Sequence, residues 1–229
     1  MFLQRKTGGS VGYIPLLELW LPLGKDTLKG GAGADTLHGG LGSDTADYSD
    51  KTKAVVVTLI EGATVTATVG GVVEDTLTSI ENLVGGSKAD RLTGDSGKNS
   101  LKGNAGNDVL NGGLGKDTLI GDAGKDKFVF NTALGAGNVD TIKDFVHDTD
   151  RIQLDDAIFT GIGRKLDSGE FYAARGATKA HDKSDRIIYD TKSGKLYFDA
   201  DGSKKGADAV HFATLSNKPL LDHGDFGIV

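Results

Sequence analysis

A chain of 229 residues is long enough to bury a core, as one large domain or two small ones. With 35 glycines, about twice the usual share, against 38% hydrophobic residues, its backbone is costly to order and it has little apolar surface to offset that cost. A net charge of -6 excludes the basic field a nucleic-acid binder needs, and the absence of cysteine excludes a disulfide framework and a thiolate metal site.

Residues 1–20 form an N-terminal segment. Arg5 and Lys6 precede an apolar stretch from Ile14 to Leu23, but Pro15, Glu18 and Pro22 interrupt it and no small-residue cleavage site follows. It is also too short to span a bilayer. The segment reads as a first strand, or as the remnant of a longer upstream region, rather than as a secretory signal peptide.

From residue 21 the chain repeats in nines, and LPLGKDTLK, GGAGADTLH and GGLGSDTAD fill a first array over 21–47. Residues 48–84 change character: KAVVVTLI and ATVTATVGGVV, rich in valine and threonine, predict an inserted β-hairpin with Glu61 and Gly62 between its strands. The segment DTLTSIENLV then leads into a second array over 85–129, which reads GGSKADRLT, GDSGKNSLK, GNAGNDVLN, GGLGKDTLI and GDAGKDKFV without a gap.

Residues 130–229 lose the glycine rhythm and predict a β-rich closing region. Apolar and polar residues alternate around Ile142, Phe145, Ile152 and Leu154, and RIIYDTKSGKLYFDADG predicts a hairpin turning at Ser193 and Gly194. In LDSGEFYAA, a short helix entry is expected, with Ser168 as its cap.

The chemistry of one unit, Gly112 to Ile120, is representative. Its glycines let the backbone curl so that carbonyl oxygens converge beside the Asp117 carboxylate, and hard oxygen donors at that density suit Ca2+. Thr118, Leu119 and Ile120 then form a very short strand with Leu119 inward. A turn and a short strand make half a coil, so two units complete one turn of a solenoid and the aspartates of alternate units stack. Without a cation the stack sets like charges together; with Ca2+ between the loops the same groups become ligands.

Rival chemistries fail on spacing. The histidines at 38, 147, 181, 211 and 223 are scattered and lack the pattern of a zinc protease. Asp199-Ala200-Asp201-Gly202 begins like an EF-hand loop but puts its glycine in the wrong place, so it reads as a turn. Asp155 and Asp156 make no acid/base pair without a pocket around them.

Over residues 21–47 and 85–129 these units resemble the hemolysin-type calcium-binding repeats of the RTX family. The resemblance implies an all-β fold: a parallel β-roll, or β-solenoid, with two repeat arrays, an inserted β-hairpin and a C-terminal β-rich closing region. It also implies that each ion lies between unit n and unit n+2. One loop gives the carbonyls of its second and fourth positions and its Asp; the other gives those of its first and third positions and its Asp.

Carried onto this chain, that geometry pairs Asp26 with Asp44, Asp90 with Asp108, Asn99 with Asp117 and Asp108 with Asp126, and adds Asp35 to the carboxylates. Supporting carbonyls come from Gly33, Gly42, Gly86, Gly97, Gly103, Gly106, Gly112, Gly113, Gly115, Gly121 and Gly124. The chain departs from the pattern at Lys88 in place of a fourth-position glycine, at Asn99 in place of Asp, and at Leu21 and Pro22 in place of a glycine pair.

Residues 139–229 are similar to the C-terminal region of serralysin-type secreted proteases, on the segment Asp140, Ile142, Asp144 and Phe145; Asp140 or Asp144 would close the final calcium loop, with surface carboxylates at a strand end as the other reading. The last residues, Asp225 to Val229, resemble the uncleaved C-terminal signal read by type I secretion transporters, with an ordinary last strand as the other reading. These resemblances imply a secreted, extracellular Ca2+-binding protein, not an enzyme, whose roll folds on Ca2+ after type I export. Its partners are then calcium ions and the transporter, with a cell-surface polysaccharide as a further candidate. The alternatives are an export and folding module of a larger exoenzyme (a protease, lipase or polysaccharide-modifying enzyme) and an adhesion or polysaccharide-binding protein.

Overall fold

The eighth residue of each nine-residue unit is apolar, and Leu28, Leu37, Ala46, Leu92, Leu101, Leu110, Leu119 and Phe128 are all buried. Each sits inside a short strand whose flanking side chains turn outward, as in Val109–Asn111 around Leu110. One inward residue per strand contributes about 1.5 to 3 kcal/mol of burial, so stability must be built by stacking many strands.

The computed structural model describes residues 3–7, 10–14, 24–203, 206 and 208–229. Successive units send their strands to opposite sheets. In one sheet Leu92 stands in parallel register with Leu110, Leu110 with Phe128, and Phe128 with Ile152. In the other, Leu83, Leu101, Leu119 and Ile142 stack in the same way. The fold is a parallel β-roll with its leucines in a central column; among the described residues one sheet has 12 strands and the other 9.

The two arrays join directly in one sheet, where Thr45–Asp47 pairs with Asn82–Val84, which in turn pairs with Ser100–Lys102. In the other sheet the insertion intervenes. Thr36–His38 pairs in parallel with Val72–Thr78, the chain's neighbours Val65–Val69 and Val55–Thr58 follow antiparallel, and Val55–Thr58 meets Arg91–Thr93 in parallel again. The expected hairpin is therefore a three-stranded meander. Its second turn is made by Gly70 and Gly71, at φ of 63° and 82°, the two left-handed positions of a tight hairpin loop.

The closing region continues both sheets. Asp140–Ile142 extends the leucine column to Val210–Leu215, and Arg151–Leu154 carries the edge strand Phe226–Ile228. Phenylalanines then replace the single leucine per strand: Phe159 lies 5.1 Å from both Phe198 and Phe212, and Phe130 lies 5.2 Å from Phe212. Such edge-to-face contacts close the end of the roll with more apolar area per residue than the repeats supply.

The hairpin predicted around Ser193 and Gly194 joins Ile187–Asp190 to Lys195–Phe198. The helix expected in LDSGEFYAA does not form. Phe171–Ala174 is a strand parallel to Ile187–Asp190, and Asp167 makes a turn before it by accepting from the Gly169 amide at 2.8 Å. The pull of a long sheet edge on two aromatics outweighs a helix start that contains Gly169. At the N-terminus, Leu3–Thr7 and Ser10–Ile14 form an antiparallel pair on Thr27–Lys29, while residues 15–23, with the rest of the apolar stretch, lie outside the described residues.

Candidate metal centre

The residue two places before each inward leucine is the last of its loop. Parallel register therefore stacks these residues into two rows, one on each side of the roll. On one side the row is Asp26, Asp44, Glu81, Asn99, Asp117 and Asp140; on the other it is Asp90, Asp108, Asp126 and Asp150, with Asp35 and Asp75 across the insertion.

Along the arrays, one oxygen of a row carboxylate ties neighbouring coils together. Asp26 N donates to Asp44 Oδ1 at 2.8 Å, Asp90 N to Asp108 Oδ1 at 2.7 Å, Asn99 N to Asp117 Oδ1 at 2.8 Å and Asp108 N to Asp126 Oδ1 at 2.8 Å. The ties continue across the insertion, through Asp44 N to Glu81 Oε2 at 2.7 Å, and into the closing region, through Asp117 N to Asp140 Oδ1 at 3.1 Å and Asp126 N to Asp150 Oδ1 at 3.0 Å. Asp144 lies outside the row and accepts from the Gly121 and Asp122 amides.

The second oxygen is a different matter. Oδ2 of Asp44, Asp108, Asp117 and Asp126 is buried with no hydrogen-bond partner, whereas Asp90 and Asp150, on the outer rungs of their row, are doubly paired. Each free oxygen is pressed against its own loop: a Cβ on Gly103, Gly112 or Gly121 would collide with Oδ2 of Asp108, Asp117 or Asp126. The loops stack as closely on each other. At Gly115, with φ of 123°, a Cβ would overlap the Gly97 carbonyl oxygen, and Gly42, Gly106, Gly113 and Gly124 press on the carbonyls of Gly24, Lys88, Asp95 and Gly106. Gly86 faces the Lys51 carbonyl, Gly97 meets only Asp95 Oδ1, and Gly33 borders open space.

Burial dominates the electrostatics. It pushes the Asp108 carboxyl up to about 7 and Asp126 up to about 6, and it raises Asp44, Glu81, Asp90 and Asp150 as well. Asp117 is raised by burial and then by the negative charge of Asp140 beneath it. Unpaired, buried, anionic oxygens set beside converging carbonyls fit a hard cation with many oxygen ligands. The residues that would hold it are the row carboxylates and the loop carbonyls.

Asn99 replaces this chemistry with its own. Its Oδ1 accepts from the Asp95 amide at 2.9 Å and its Nδ2 donates to the Glu81 carbonyl at 2.8 Å, so its side chain is satisfied on both sides. Four row members lie outside the two nine-residue arrays: Asp140, which the closing segment already singles out, and Glu81, Asp75 and Asp150. Glu81 stands nine residues before Asp90 and two before Leu83, and Asp75 opens the same Asp-Thr-Leu triplet as Asp26, Asp35 and Asp117. Asp150 precedes Ile152 as Asp126 precedes Phe128, which is its only signal.

Residues 23–47, 78–101 and 93–128 match the family profile of the RTX calcium-binding nonapeptide repeat, in four copies. No curated protein matches the chain. Among solved structures it is similar to the solution structure of the AlgE6R3 subunit from the Azotobacter vinelandii mannuronan C5-epimerase, at 18% identity over 89% of this chain and 77% of that one, with a TM-score of 0.34. The matched profile residues are the ones that form the two carboxylate rows of the arrays, so this chain carries RTX calcium-binding nonapeptide repeats wound into a β-roll.

Proposed function

We propose that the chain is a secreted, non-enzymatic calcium-binding protein that crosses the envelope by a type I transporter and folds on Ca2+ outside the cell. The observation that carries this reading is the set of buried, partnerless Oδ2 atoms on Asp44, Asp108, Asp117 and Asp126. An ionised carboxylate in that position is unfavourable unless a cation meets it. Calcium supplies the missing positive charge when it binds; the chain supplies the stacked oxygens and excludes water from them.

Affinity sets where the protein folds. Extracellular calcium modules bind at about 10⁻⁴ to 10⁻³ M, so at millimolar calcium each site adds about 0.5 to 1.5 kcal/mol by mass action. At cytosolic calcium that contribution vanishes and the like-charged rows remain. The tail fits the same order of events. In the folded roll Phe226–Ile228 is paired with Ile152–Leu154 and Asp225 is fully buried, so a transporter that reads these residues must do so before the roll closes.

Far-UV circular dichroism during a calcium titration of chelator-treated protein tests the folding step. We expect a cooperative gain of β signal below a few millimolar; identical spectra with and without calcium would sink it. Export is tested separately by co-expression with a type I transporter, where removal of residues 225–229 should leave the protein in the cell.

A further inference from the structure

Asp35 has no acidic partner eighteen residues on, where the chain has Lys53. The insertion provides one instead. Parallel register of Thr36 with Thr76 sets Asp75 over Asp35, and Asp35 N donates to Asp75 Oδ1 at 2.9 Å. Both oxygens of Asp35 and Oδ2 of Asp75 are buried without a hydrogen bond. The two Oδ2 atoms converge: a Cβ on Gly30 would lie 2.8 Å from that of Asp35 and 3.1 Å from that of Asp75. Tyr48, 1% exposed, closes the pocket beside Asp75.

A cation of the chain's own lies beside this cluster, where its charge favours the ionised form of Asp35 and Asp75 without bonding to their free oxygens. Lys51 is buried, and its ammonium donates to the Gly31 carbonyl and to the Glu74 carboxylate, the residue next to Asp75. Lysine is almost never buried unless paired, so the side chain is placed there for its charge. Its backbone is fixed from the other direction: the Lys51 carbonyl accepts from the Ser87 amide at 3.0 Å and the Ser87 hydroxyl at 3.2 Å. Lys51 thus anchors its main chain on the first loop of the second array and its side chain on a loop of the first. Gly31 is the second residue of its unit, and second-position carbonyls are among the oxygens that face the ion in the calcium geometry of these repeats.

We propose that the Lys51 ammonium is a built-in cation that clamps the Gly31 loop of the first array to Glu74 of the insertion, beside the Asp35–Asp75 pair. The insertion breaks the array at this point and brings its own positive charge to the break. This coil contact is therefore formed without calcium, and the roll has a calcium-independent end from which the other coils add. The assignment rests on the calcium reading of the repeats only for the role of the Gly31 carbonyl.

Hydrogen exchange on the full-length chain, with calcium removed and then restored, tests it. We expect residues 36–38 and 76–78 to stay protected in both conditions, while Val109–Asn111 and Lys127–Phe130 become protected only with calcium. Equal calcium dependence at 36–38 and 109–111 overturns the proposal. If instead 109–111 ignores calcium, the folding reading above fails and the Lys51 assignment is decided by substitution. Lys51→Met should speed calcium-free exchange at 36–38 and 76–78 by tenfold or more, and Lys51→Arg should restore the protection. Lys51→Met exchanging like the parent chain without calcium overturns it.

Discussion

Asp44, Asp108, Asp117 and Asp126 divide their work between two oxygens, one bonded to a neighbouring coil and one free, and single substitutions can separate them. Asp108→Asn keeps an acceptor for the Asp90 amide and removes the charge from a buried, partnerless Oδ2. Without calcium this variant should melt no lower than the parent; in millimolar calcium it should lose about 0.5 to 1.5 kcal/mol for each site given up, read by thermal melts beside a calcium titration. Gly115→Ala acts on the loop itself. The position has φ of 123° and lies against the Gly97 carbonyl, so the methyl is both strained and overlapping, and urea unfolding at saturating calcium should show a loss of about 1 to 3 kcal/mol.

The elements differ in how openly the sequence declares them. A strand of three residues with one buried leucine has no useful hydrophobic periodicity of its own; the nine-residue phase reveals it, and the loop carboxylate with it. Where the phase breaks, the reading weakens. Glu81 was in step with Asp90 but lacked the glycines around it, and Asp75 lies inside a strand whose pairing with Thr36–His38 spans the whole insertion. Phe171–Ala174 was hidden for another reason: its conformation is imposed by the neighbouring strand, not by its own residues. The aromatic cap that this region builds should be worth more per residue than any repeat. Phe159→Ala, which removes a fully buried ring from between Phe198 and Phe212, should cost about 3 to 5 kcal/mol in chemical denaturation at saturating calcium.

At the scale of the whole roll, acid and calcium act on the same oxygens in opposite ways. Burial raises Asp108 to about 7 and Asp126 to about 6, above the ~3.9 of an unfolded aspartate. Their contribution to the calcium-free fold is therefore fully present below about 4 and is lost as pH rises through about 6 to 7. Metal-free protein should gain structure on going from pH 8 to pH 5, while its apparent calcium affinity falls over the same interval as protons compete. Circular dichroism across that range, at low and at saturating calcium, checks both slopes.

Asn99 gives the long row a boundary. It sits between Glu81 and Asp117 with its amide satisfied on both sides, a neutral rung in an otherwise acidic column. That rung keeps the Glu81 and Asp117 carboxylates from standing directly over one another. The column is built as two short acidic runs joined through an amide, rather than as one unbroken stack of carboxylates.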